Sequence, residues 1–110
     1  MKKLYVLFLL FIGIAAFGQN ETVEEYIRKE SIGGELDFTK IADEQAPKAG
    51  LIAFENVVYN KKDFAILLWA AKVKSLGIKS HKKAANLWEE INKRKLTTPE
   101  MKALKAGIKM

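Results

Sequence analysis

Apolar residues recur along this chain at spacings of three and four, and the polar stretches between them carry helix-starting and helix-stopping residues. Thr22-Val23-Glu24-Glu25 matches a capping box, in which the Thr22 hydroxyl and the Glu25 carboxylate each satisfy a free amide at a helix start. The pattern predicts a helix over Val23 to Glu30, stopped by Ser31-Ile32-Gly33-Gly34. Phe38, Ile41 and Ala42 predict a short helical turn that closes before Pro47, because the residue preceding proline avoids helical backbone. Pro47 suits the first turn of a further helix, on which Leu51, Phe54 and Val58 share one side. The run Val57-Val58-Tyr59 has strand propensity and keeps a short strand open as the alternative.

The clearest element starts at Asn60, a capping residue, with Asp63 in the first turn, where a carboxylate meets the positive end of the helix dipole. It stops at Gly77-Ile78, a glycine and apolar pair typical of a Schellman ending. Between these caps Phe64, Leu67, Leu68 and Ala71 line one side, while Ile66, Trp69, Val73 and Leu76 line the other. A helix apolar on two opposed sides has to be covered on both, which places residues 61–76 at the centre of the domain. Ile66, Trp69 and Val73 are also the candidate oligomer interface, should the second face be covered by another copy.

Ser80 caps the next helix, with Ala84, Leu87, Trp88 and Ile91 as its stripe. Thr98-Pro99-Glu100 opens the last one, with Met101, Leu104 and Ile108 facing inward and Gly107 near its end. The expected fold is therefore all-α, a small bundle of about four helices with short connections between antiparallel neighbours.

The N-terminus follows a different logic. Lys2 and Lys3 precede a 14-residue apolar run from Leu4 to Phe17, broken only by Gly13, and Ala16-Phe17-Gly18 supplies small residues for cleavage. Spanning ~30 Å of hydrocarbon takes roughly 20 apolar residues, so this run reads as an export signal rather than a permanent anchor. The expected organisation is a signal peptide over 1–18, an acidic and mobile helix and linker over 19–36, and a helical domain over 37–110. Export places the protein in a periplasmic or extracellular setting.

Charge sharpens the picture. Net charge is +6, yet residues 21–60 hold four cations and nine anions, whereas residues 61–110 hold 13 cations and four anions. Lys79, Lys82, Lys83, Lys93, Arg94 and Lys95 cluster at the two ends of the Ser80-capped helix and form the candidate face for an anionic partner: an acidic protein, a polyanionic envelope polymer or a lipid headgroup surface. With no cysteine, disulfide staples, thiolate zinc sites and lipid attachment at cysteine are excluded. A single histidine, His81, rules out a two-histidine metal site within one chain. Asp37, Asp43 and Glu44 lack the alternating ligand loop of a calcium site. Glu89 with Lys93 and Glu90 with Arg94 stand at i, i+4 and read as surface pairs rather than an acid and base. Neither a metal nor an organic cofactor is implied.

Leu76-Gly77-Ile78-Lys79, followed by Ala85, Leu87, Trp88 and Ile91 with Lys82-Lys83 nearby, resembles the helix-extended-helix family that includes SAP-type and transcription-terminator N-terminal modules. The resemblance implies two helices around a Gly-Ile turn, with basic residues set against nucleic-acid phosphates. It covers about a fifth of the chain and departs from the family in a longer, more apolar first helix. Export argues against a genomic partner. The function expected from the residues themselves is a non-catalytic binding or interaction module, with an oligomeric envelope subunit or a small carboxylate-based hydrolase as alternatives.

Overall fold

A computed structural model describes residues 21–46 and 50–110, so the proposed signal segment and Pro47 lie outside the described residues. Within them the chain forms helices α1 (Val23–Glu30) and α2 (Thr39–Gln45), strands β1 (Leu51–Phe54) and β2 (Val57–Asn60), then helices α3 (Lys61–Ser75), α4 (His81–Asn92) and α5 (Thr98–Ile108). The fold is mostly helical with a two-stranded antiparallel sheet.

The mostly helical class is as expected, and the sheet is where the fold departs from an all-α bundle. Leu51 pairs with Asn60, Ile52 with Tyr59, Ala53 with Val58 and Phe54 with Val57. The two-residue connection, Glu55-Asn56, has positive φ at both positions (48° and 65°), the pattern of the mirror-image turn that matches strand twist. Leu51, Phe54 and Val58 therefore do not share a helix face. Ile52, Phe54 and Tyr59 point inward, whereas Leu51 and Val58 remain 56% and 63% exposed. The inward rings close over the start of α3: Phe54 meets Phe64 edge-on at 6.1 Å, and Tyr59 lies 6.3 Å from the same ring.

α3 is the centre of the fold, as its two apolar sides require. Every residue from Phe64 to Ala71 is buried, as is Val73. Both caps form as expected: Asn60 accepts from the Asp63 amide at 2.7 Å, and the amides of Gly77 and Ile78 donate to the carbonyls of Lys74 and Val73 in the Schellman pattern. Gly77 takes φ +118°, which side-chain-bearing residues rarely adopt.

α5 runs alongside α3 in the same direction: Glu100 lies near Lys62, Gly107 against Leu67 and Ala70, and the Lys74 amine donates to the Met110 carbonyl at 3.0 Å. Gly107 marks a packing contact here rather than a helix stop. A Cβ at this position would sit 2.2 Å from the Leu67 carbonyl oxygen and 2.7 Å from the Ala70 Cβ, so the two backbones meet at a distance only glycine permits. α4 makes the antiparallel return between them, and Ala84, Ala85, Leu87 and Trp88 are its buried positions.

The acidic leader is not separate from this core. Tyr26, Ile27 and Leu36 are buried, so packing runs continuously across the expected boundary at residue 36. α1 carries the expected capping box, with the Glu25 amide donating to the Thr22 hydroxyl at 3.1 Å. Arg28 bonds Glu90 of α4, and Lys83 of α4 lies 3.0 Å from Glu24. Lys61 reaches Asp43 at 2.7 Å. The acidic half thus lies partly across the basic half. Among the described residues no helix is long and apolar enough to cross a membrane.

Candidate functional site

Ile66, Trp69 and Val73, the residues of the candidate interface, are buried inside the single chain. Cover comes from the leader and the segment after it: the Trp69 indole donates to the Ser31 hydroxyl at 2.8 Å, and that hydroxyl donates to the Ile27 carbonyl. Burial of an indole with its N–H satisfied is what a core contact demands.

The six basic residues expected to share an anion-binding face divide into two groups at opposite ends of α4, about 18 Å apart for a 12-residue helix. Lys83 is engaged by Glu24, and Lys95 lies 3.6 Å from Glu89. Arg94 folds onto the Glu100 carboxylate and stacks over the Trp88 ring, its guanidinium carbon 4.7 Å from the ring centre. Lys79, Lys82 and Lys93 make no ion pair among the described residues. The expected pairs of Glu89 with Lys93 and Glu90 with Arg94 do not form. α4 ends at Asn92, and Lys93 turns into left-handed backbone (φ 57°), which takes residues 93 and 94 off the helix face. Glu89 instead accepts from the Leu96 amide at 2.8 Å, and Glu90 bonds Arg28.

A stronger cationic feature lies on α5, where the sequence reading placed none. Lys102, Lys105 and Lys109 are exposed and, at i, i+3 and i+7, fall within an arc of about 60° along about 10 Å of helix. None of them pairs with a carboxylate among the described residues. The one acid of α5, Glu100, faces inward and is 3% exposed. The signal for this stripe is the i, i+3, i+7 spacing of its lysines, less conspicuous than the adjacent basic residues around α4.

Glu100 organises the start of α5. Its carboxylate takes two bonds from the Arg94 guanidinium and one from the Thr97 amide at 2.8 Å, and the Thr97 hydroxyl accepts from the Glu100 amide at 3.3 Å. The Arg94 bonds hold its pKa down at about 2, against the opposing effect of burial. Asp63, nearby, is pushed upward by burial and by the Glu100 charge.

Between these groups and the segment 31–39, the loop before α2 with its first residue, lies a groove of about 160 Å³ that is open to solvent. Its floor is Phe38, Ala65, Ile66, Trp69 and Trp88, and its rim carries Asp37, Lys62, Asn92 and Arg94. Asp37 accepts from the Gly33 amide at 2.7 Å, the Thr39 amide at 3.1 Å and the Thr39 hydroxyl at 2.6 Å. The hydroxyl bond leads the causes that lower its pKa. His81 is exposed in the first turn of α4. Among the described residues no three His, Cys, Asp or Glu side chains converge as a metal site. Comparison with protein-family models, with curated proteins and with solved structures finds no match to this chain.

Proposed function

We propose that this protein is an exported, non-catalytic binding module whose partner presents repeated phosphates, as an anionic headgroup surface or a phosphate polymer of the cell envelope does. The observation that carries this reading is the α5 stripe of Lys102, Lys105 and Lys109, three exposed amines on one face with no carboxylate opposite them. Cationic side chains spaced along one helix edge attract a polyanion through additive, salt-screened contacts. The N-terminal succession of lysines, apolar run and small residues supports export. Oligomerisation through the second face of α3 is not proposed, because that face is covered within the chain.

The test is co-sedimentation of the chain lacking residues 1–18 with phosphatidylcholine vesicles, with and without phosphatidylglycerol, alongside a polyphosphate competition. Binding is expected only where phosphate charge is in excess, and the competition separates polymer from membrane. Replacing Lys102, Lys105 and Lys109 together by Gln should weaken it roughly a hundredfold, at the usual contribution of a lysine near an anionic surface. Circular dichroism should stay unchanged, since all three side chains face water. Binding that survives the triple substitution or high salt overturns the assignment.

A further inference from the structure

The groove over Trp69 and Trp88 is independent of the α5 lysines and has its own chemistry. Its volume of about 160 Å³ is close to the ~150 Å³ known to hold one benzene ring, so there is room for a single six-membered ring. Two indoles, a phenyl ring and two aliphatic side chains give that ring an apolar floor.

The rim decides what the ring must carry. Asp37, its carboxylate, is occupied by three donors from Gly33 and Thr39. Asn92 donates one amide hydrogen to the Trp88 carbonyl at 2.9 Å. The donors are less committed. The Lys62 amine approaches Glu100 only at 3.9 Å, beyond hydrogen-bond reach, and its side chain is 71% exposed. Arg94 uses its two terminal nitrogens on Glu100 and the Lys95 carbonyl, which leaves its Nε–H unbonded among the described residues. We infer that this groove binds a ring-sized apolar carboxylate, with the ring against Trp69 and Trp88 and the carboxylate on Lys62 and the Arg94 edge.

The chain has two tryptophans and both line the groove, so intrinsic fluorescence reports directly on its occupancy. The probe is cyclohexanecarboxylate, transparent where indole absorbs, with cyclohexylmethanol as the uncharged control. A saturable change in emission is expected with the carboxylate, and about tenfold weaker binding with the alcohol, the value of one charge-assisted hydrogen bond. Lys62→Gln, on the surface, should weaken the carboxylate about tenfold and leave the alcohol unaffected. Ala65→Leu should fill the floor and abolish both signals, with circular dichroism verifying that it folds. Absence of saturation in the wild-type chain overturns the site. Equal binding of acid and alcohol, or indifference to Lys62→Gln, overturns the carboxylate. Neither result bears on the α5 lysines.

Discussion

Arg94 meets Glu100 through two parallel hydrogen bonds, 2.8 and 2.7 Å long, and the carboxylate they hold is almost wholly buried at the start of α5. One acid therefore serves as capping-box partner for Thr97, as anchor for the chain leaving α4 and as the reason Arg94 lies over Trp88. The acid is ionised at any pH above its lowered pKa, and that ionised form is what the folded state prefers.

Stability should accordingly fall in acid. The folded pKa of Glu100 lies at about 2, below its ordinary 4.5, so its contribution is complete above pH 4.5 and is lost as pH falls toward 2. The amount at stake is roughly 2 to 3 kcal/mol. Urea unfolding of wild type and Glu100→Gln at neutral pH and near pH 2 checks this. The variant should be less stable by that amount at neutral pH and nearly equal to wild type in acid.

Gly107→Ala should destabilise the fold by about 2 kcal/mol or more, because a methyl placed 2.2 Å from the Leu67 carbonyl forces α3 and α5 apart. Thermal unfolding by circular dichroism measures it. A neutral effect would mean that the two helices separate without cost.

Leu68→Ala, at a fully buried position, is expected to cost ~2 to 5 kcal/mol. Trp69→Ala should cost a comparable amount, with no change in molecular mass by sedimentation, since its indole is covered within the chain and bonded to Ser31. Loss of association at unchanged stability would restore that face as an interface.

The hairpin turn leaves room for improvement. Glu55 and Asn56 both hold positive φ, a conformation that Asn-Gly adopts with less strain. The double substitution Glu55→Asn, Asn56→Gly should raise unfolding stability by about 1 kcal/mol, read from denaturant midpoints.

Features that depend on residues near one another along the chain were legible without any structure. The capping box at Thr22 and Glu25, the Asn60 and Ser80 caps and the Gly77-Ile78 stop each satisfy backbone groups within a few residues, and all of them form. The all-round apolar surface of α3 fixed its central place for the same kind of reason: no arrangement of so short a chain leaves both sides wet.

Features that depend on contacts between distant residues emerge with the folded chain. The hairpin turn lacks the glycine that signals such turns, so Glu55-Asn56 gave no local indication, and burial of Ile52, Phe54 and Tyr59 against the start of α3 selects strands there. The close approach of Gly107 to α3 and the capture of Arg94 by Glu100 arise from packing that neither helix encodes alone. The groove joins Lys62 and Trp69 of α3 with Trp88 of α4 and Phe38 just before α2, and side chains this far apart in sequence become neighbours only when the core that buries them has closed.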